Sequence, residues 1–193
     1  VVTGIPGMPG VPELVGAAEK VAVELGFGKS SLPEVGRLLA ALAASKPGGS
    51  VAESGTGVGV GTAWLHSGLG PGARLVTVER DAGPARRAAE LFAGDERVRV
   101  LHGDWRLLES YAPFDLFFCD GGGKRDDPER VVSLLAVGGV LVLDDFTPSG
   151  EWPPRFEGQV DDLRVFYLTH PQLRAAEVLT TPHSSALVAV RIA

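Results

Sequence analysis

The chain has 193 residues, 45% apolar and 22% charged, enough for one globular domain with a buried core. Its formal net charge of −6 argues against a nucleic-acid backbone or an anionic membrane as partner, and no apolar run reaches the roughly 20 residues that span a bilayer. A single cysteine, Cys119, rules out an internal disulfide and fits a reducing cytoplasm.

The sequence starts at Val1 rather than Met, as a processed or trimmed chain would, and 1–10 reads as a Gly/Pro-rich arm or loop. Leu14, Ala18, Val21 and Leu25 recur at helical spacing over 12–25, with Pro12 suited to the first turn and Gly26-Phe27-Gly28 as the stop. A second helix is expected over 32–45, with Ser31 as its N-cap, Pro33 in the first turn and Glu34 three residues after the cap. The two helices are expected to cover an edge of the sheet or one side of a pocket. Lys46-Pro47-Gly48-Gly49-Ser50 is a turn cluster. Beyond it a short strand runs into Glu53-Ser54-Gly55-Thr56-Gly57-Val58-Gly59, and a helix follows over about 62–69. Glycines 55, 57 and 59 strip side chains from the bend, so a ligand can lie against the backbone. The helix start offers unpaired N–H groups to something electron-rich. A tight strand-to-helix turn without a ligand has the same pattern.

From there strands and helices alternate, the sign of a parallel α/β sheet. Strands are expected over 74–78, 98–101, 114–119 and 140–143, with helices over about 83–93 and 128–135. Each strand ends in or just before a carboxylate: Glu53, Glu79, Asp104, Asp120 and the pair Asp144-Asp145. In open α/β sheets the ligand crevice lies outside those ends, so these acids are expected on one rim. Glu79, 24 residues after Gly55, is placed to accept both hydroxyls of a ribose. Asp104 and Trp105 suit a heteroaromatic ring, the carboxylate taking an amine and the indole stacking. Glu53, ahead of the first glycine, repels a pyrophosphate and holds a cationic amino group. An amino-acid head, a ribose and an adenine in that order describe S-adenosylmethionine rather than NAD or ATP.

On the loop from Glu53 to Gly59, with Glu79, His102-Gly103-Asp104-Trp105, Asp120 and Asp144-Asp145, residues 32–193 resemble the class I S-adenosylmethionine-dependent methyltransferases. Within that group they are similar to the small, metal-linked O-methyltransferases of the catechol and caffeoyl-CoA type. The resemblance implies an α/β, Rossmann-like methyltransferase sandwich: a seven-stranded, mostly parallel sheet with its last strand antiparallel and helices on both faces. Residues 184–192 are the candidate for that last strand, with 175–179 beside it. A single domain is expected over 1–193, with the arm and helices in 1–45 and the Rossmann-like core in 46–193. The cofactor contacts implied are Glu53, Gly55, Thr56, Gly57, Gly59, Glu79, Arg80, Gly103, Asp104, Trp105 and Asp120.

The relatives hold a divalent metal with an acid after the fourth strand and an Asp-Asn or Asp-Asp pair after the fifth. Asp120, Asp144 and Asp145 occupy the matching positions, an oxygen set suited to Mg²⁺, Ca²⁺ or Mn²⁺. The same acids can also serve as cofactor-side or capping groups without a metal. The relatives also carry a lysine three residues after the first metal acid, as a base beside the substrate oxygen. Here Gly121-Gly122-Gly123 fill those positions and Lys124 comes one residue later. Either the glycine loop bends to return Lys124 beside Asp120 as a catalytic group, or the chain has no such base.

Residues 146–154 form a turn-rich loop with two aromatics, Phe146 and Trp152, either a lid over the acceptor or a rigid surface loop. Helical spacing then resumes through Val160, Leu163 and Phe166-Tyr167. Cys119 and Trp64 read as core, and none of the four histidines forms a metal-spaced pair. The expected activity is methyl transfer from S-adenosylmethionine to a hydroxyl oxygen of a small, phenolic acceptor, in a protein for which a homodimer is compatible. The alternatives are an S-adenosylmethionine-binding module without transferase activity and an NAD-dependent oxidoreductase, the latter disfavoured by Glu53 and by the absence of a Tyr-x-x-x-Lys pair.

Overall fold

The computed structural model describes residues 10–193, so nearly all of the expected N-terminal arm lies outside the described residues. Two helices, α1 (Glu13–Leu25) and α2 (Pro33–Ala44), precede the first strand. The sheet strands are β1 (Ser50–Ser54), β2 (Arg74–Glu79), β3 (Val98–His102), β4 (Phe114–Cys119) and β5 (Leu135–Phe146), then β8 (Leu173–Thr181) and β9 (Ser184–Arg191). The helices between them are α3 (Val60–Ser67), α4 (Ala82–Phe92), α5 (Pro128–Ser133) and α6 (Asp162–Thr169). A short hairpin, β6 (Arg155–Phe156) with β7 (Gln159–Val160), sits apart from the sheet.

The seven-stranded order is β3-β2-β1-β4-β5-β9-β8. β1 to β5 pair in parallel, and β9 runs antiparallel to both of its neighbours, β5 and β8. The strand order reverses between β1 and β4, and a ligand crevice forms at such a switch point. Consecutive residues of a strand face opposite sides, and the two cores follow that rule. Val51, Leu116, Phe118, Val140 and Val142 pack with Val35 and Leu39 of α2 and Leu65 of α3. Ala52, Phe117, Leu141 and Leu143 pack on the other side with Trp105, Leu108, Val131 and Tyr167. Both faces are therefore covered, as nearly continuous apolar strands require. Among the described residues no helix is long and apolar enough to cross a membrane.

Two local expectations are corrected. The N-cap of α2 is Leu32, with no side-chain capping bond, and Pro33 opens the helix, so Ser31 is not the cap. Proline at the first helical position fixes φ and removes a donor that would otherwise need a partner, which makes a capping serine dispensable. Val160 lies in the β6–β7 hairpin rather than in a helix; Glu157 and Gly158 both take positive φ, 50° and 79°, as a two-residue hairpin turn demands. Residues Trp105–Tyr111 form a 3₁₀ segment capped by the Asp104 side chain.

The end of the sheet nearest β5 is held by a buried ion network. Arg164 is fully buried and binds Asp161 on its own helix and Glu177 on β8, the latter at 3.0 Å. Its guanidinium lies 5.2 Å from the Phe146 ring centroid, and Ser185 bridges Glu177 to the Phe146 carbonyl. Removing one partner of such a pair strands the other charges. Arg164→Ala is expected to lower the unfolding free energy by about 3 kcal/mol, read as a lower urea midpoint, and Arg164→Met with Glu177→Leu should cost less than Arg164→Ala alone.

Candidate functional site

The β1 and β4 tips meet without side chains between them. The Ser54 carbonyl accepts from the Asp120 and Gly121 amides at 3.1 and 2.6 Å, while the Gly55 and Thr56 amides donate to the Val78 carbonyl. A Cβ on Gly55 would stand 2.6 Å from the Gly121 nitrogen, and one on Gly121 would stand 2.8 Å from the Gly55 Cα. Gly55 also has φ +93°, a conformation that L side chains rarely adopt. The bend then carries the chain to α3, whose N-cap, Gly59, makes no side-chain bond. Beside this seam opens a cavity of about 580 Å³, walled by Gly55 to Val58, by Glu79 and Arg80, and by Asp120, Asp144 and Asp145. Its facing wall is the α1–α2 connection, Phe27 to Leu32.

Glu79 leaves the β2 tip with both carboxylate oxygens engaged: Oε2 accepts from the Gly57 amide at 2.7 Å and Oε1 from the Asp81 amide at 2.8 Å. It thereby ties the glycine bend to β2 while lining the cavity. Glu53 behaves differently from expectation. It does not line the cavity; its side chain is buried and accepts from the Thr62 and Thr77 hydroxyls, bracing β1 against α3 and β2. Its Oε1 has no partner, and burial pushes the carboxyl up to about 7 against the pull of the two hydroxyls. Small residues above it explain the space, since a side chain on Gly61 would run into Oε1.

The question left open by Gly121-Gly122-Gly123 is answered: the loop returns Lys124 to the acids. Gly121 lies against Gly55, Gly122 lies under the Trp105 indole, and Gly123 takes φ +105°. The Tyr167 hydroxyl donates to the Lys124 carbonyl and pins the end of the loop. The Lys124 side chain, 9% exposed, places Nζ 3.7 Å from Asp120 Oδ1 and 3.6 Å from Asp145 Oδ2. It donates to the Asp144 carbonyl at 3.0 Å. Asp120 is pushed up to about 7, chiefly by burial, with Lys124 opposing and Asp145 and Asp144 reinforcing the rise. Burial likewise raises Asp144.

Consecutive strand residues normally face opposite ways, yet Asp144 and Asp145 reach the same cluster. Asp145 achieves this at φ 71°, where the β5–β9 register shifts between Leu143 and Phe146. Oxygens of Asp120, Asp144 and Asp145 lie within 4.8 Å of one another, and the buried Oδ1 atoms of Asp120 and Asp144 have no hydrogen-bond partner.

The other expected contacts divide. Gly55, Thr56, Gly57, Glu79, Arg80 and Asp120 share the cavity wall, whereas Gly59, Gly103, Asp104 and Trp105 do not. Trp105 is corrected outright: its ring is buried in the core against Gly122 and Gly123, with Arg106 stacked 4.9 Å from its centroid, so no face is open for a heteroaromatic ring. Asp104 stays exposed, with Oδ1 bonded to Arg106. Phe27, Lys29, Ser31, Asp81 and Ser184 also line the cavity, and sequence reading missed them. The polar run Lys29-Ser30-Ser31 between two apolar helices was the available signal, spent on a cap that proline made unnecessary.

Residues 52–146 match the family model described as a methyltransferase domain. A Mycolicibacterium paratuberculosis protein provisionally named an O-methyltransferase is 37% identical over 142 residues, 67% of this chain and 62% of that one. The chain thus spans under two thirds of that relative's length. An O-methyltransferase from Bacillus cereus, solved in complex with SAH, superposes with TM-score 0.79 at 23% identity over 96% of this chain and 94% of that one. TomG of Streptomyces achromogenes, an O-methyltransferase involved in tomaymycin synthesis and solved with SAM, gives 0.74 at 23% identity over 95% and 91%. These superpositions establish the Rossmann-like methyltransferase fold expected from the sequence.

The buried Glu53 carboxyl makes stability depend on pH. Between its ordinary value of 4.5 and about 7, the folded chain keeps a proton there that the unfolded chain has released. Unfolding free energy therefore falls as pH rises through that window and levels off above it. Glu53→Gln removes the titration, and its stability relative to the parent should grow by roughly 3 kcal/mol from about pH 4.5 to about pH 7.5. Urea melts at each pH read the difference, and a pH-independent one contradicts the buried carboxyl.

Proposed function

We propose that the chain is a methyltransferase, as the match of residues 52–146 supports, and that it moves a methyl group from S-adenosylmethionine to a hydroxyl oxygen of a small phenolic acceptor. The observation that carries this reading is one cavity joining a carboxylate suited to a ribose, Glu79, to a cluster of three acids and a lysine. The relatives' names and the methyl-donor ligands in the superposed structures support it.

The bound donor supplies an electrophilic sulfonium methyl, and the chain's residues position it. A carboxylate offers about four lone-pair sites, so Glu79 can accept two ribose hydroxyls while keeping the Gly57 and Asp81 amides. The amino-acid end lies along the bare backbone of Gly55 to Gly57, where Lys29 and Ser31 on the facing wall offer donors to its carboxylate.

At the other end, the unpartnered Oδ1 atoms of Asp120 and Asp144 and the all-oxygen donor set fit a hard divalent ion held by Asp120, Asp144 and Asp145. Such an ion would lower the pKa of the acceptor hydroxyl and orient it. Without an ion Lys124 fixes the placement of the acids, and the rest of the acceleration comes from holding the reactants in line.

S-adenosylhomocysteine should raise the melting temperature and NAD should not, with labelled methyl appearing on members of a phenol panel. A shift with NAD but not S-adenosylhomocysteine refutes the proposal. Binding without methyl release from any phenol leaves a binding module. Glu79→Gln should weaken S-adenosylhomocysteine about tenfold by calorimetry, the loss of charge-assisted hydrogen bonds, with the fold retained.

A further inference from the structure

The Lys124 ammonium touches all three residues of the acid cluster. It contacts the Asp120 and Asp145 carboxylates at 3.7 and 3.6 Å and donates to the Asp144 carbonyl at 3.0 Å. Its stem runs through the fold rather than across the surface, for only 9% of the side chain is exposed. Asp144, only 5% exposed, contributes a carboxylate oxygen without a partner beside it. The carboxylates are close enough for one cation to bridge them, their oxygens lying within 4.8 Å of one another. The ammonium already occupies the approach to the Asp120 and Asp145 carboxylates and reaches Asp144 at its backbone carbonyl.

We propose that Lys124 and a divalent cation occupy the Asp120–Asp144–Asp145 cluster in exclusion of one another, so that loading with Mg²⁺, Ca²⁺ or Mn²⁺ expels the lysine. The inference deepens the metal reading of the proposed function and rests on it. A divalent ion binds carboxylate oxygens at about 2.0–2.6 Å, inside the space an ammonium shares with the same atoms. Repulsion between a double and a single positive charge a few ångström apart, in a poorly hydrated setting, opposes joint occupancy. The glycine loop explains why the conflict arises in this chain. Gly121 and Gly122 are pressed flat against Gly55 and Trp105, so the lysine one position later turns back into the acids. The lysine therefore serves as a counter-charge, letting the buried Asp144 and half-buried Asp120 coexist with the exposed Asp145 when no ion is bound.

Calorimetric titration of Mn²⁺ into the whole chain tests this. Lys124→Met should bind Mn²⁺ at least about tenfold more tightly than the parent, and Lys124→Arg no more tightly than it. Equal or weaker affinity in Lys124→Met, or no binding by either protein, overturns the proposal. Should Lys124→Met not fold, the parent protein itself provides the readout. Acetic anhydride labelling of Lys124, followed by peptide mass, should become severalfold faster when Mn²⁺ is added, as the amine leaves its buried ion pairs; an unchanged or slower rate overturns the proposal. S-adenosylhomocysteine melting shifts in the same samples separate the two readings. A retained shift with failed competition leaves methyl-donor binding standing, whereas no shift refutes the donor site itself.

Discussion

Everything at the working end of this molecule depends on two glycines, Gly55 and Gly121, that let the tips of the two central strands touch backbone to backbone. One carbonyl, Ser54, takes two amides from β4, and one carbonyl, Val78, takes two amides from the glycine bend. Three parallel strands are thereby joined at their ends by backbone bonds, and the space that side chains would have filled becomes the floor of the cavity. A methyl group on either glycine would meet the backbone opposite at under 3 Å. Backbone cannot swing aside as a flexible side chain can, so the constraint is steric and leaves no room for compromise.

The electrostatic arrangement follows from that seam. It sets Asp120 one residue from Gly121 and sends the glycine loop back beneath Trp105, bringing a lysine into contact with three acids drawn from two strands. Burial pushes Glu53 and Asp120 up to about 7, well above the ordinary carboxylate range, and each is held by a different device. Two threonine hydroxyls serve Glu53, and an ammonium serves Asp120. The buried Arg164 network steadies the same region from behind, through Phe146 and the β8–β9 pair.

The sheet was legible because parallel strands covered on both faces appear as continuous apolar runs, and each run here ends in an acid that stays at the tip. Glu79, Asp120, Asp144 and Asp145 did reach the cavity wall. What sequence could not supply was side-chain direction at those tips. Glu53 and Trp105 occupy the expected positions but turn inward, the first to Thr62 and Thr77, the second into the core below Gly122. Nor does spacing reveal the conformation of a glycine triplet, so the fate of Lys124 had two readings until the loop was seen. The hairpin around Glu157-Gly158 was hidden by a chance helical period through Val160. Ser31 was assigned to the helix by a local rule that a neighbouring proline overrode, and it faces the cavity instead.

The central claim is that the glycine seam builds a floor for the methyl donor, with Glu79 as the anchor of its sugar. A crystal structure of the chain with S-adenosylhomocysteine tests it most directly. The account predicts both ribose hydroxyls on the Glu79 carboxylate and the amino-acid end over Gly55 to Gly57, beneath the connection that carries Lys29 and Ser31. A ligand bound elsewhere, or one whose ribose is held by another residue while Glu79 stays unengaged, would contradict it.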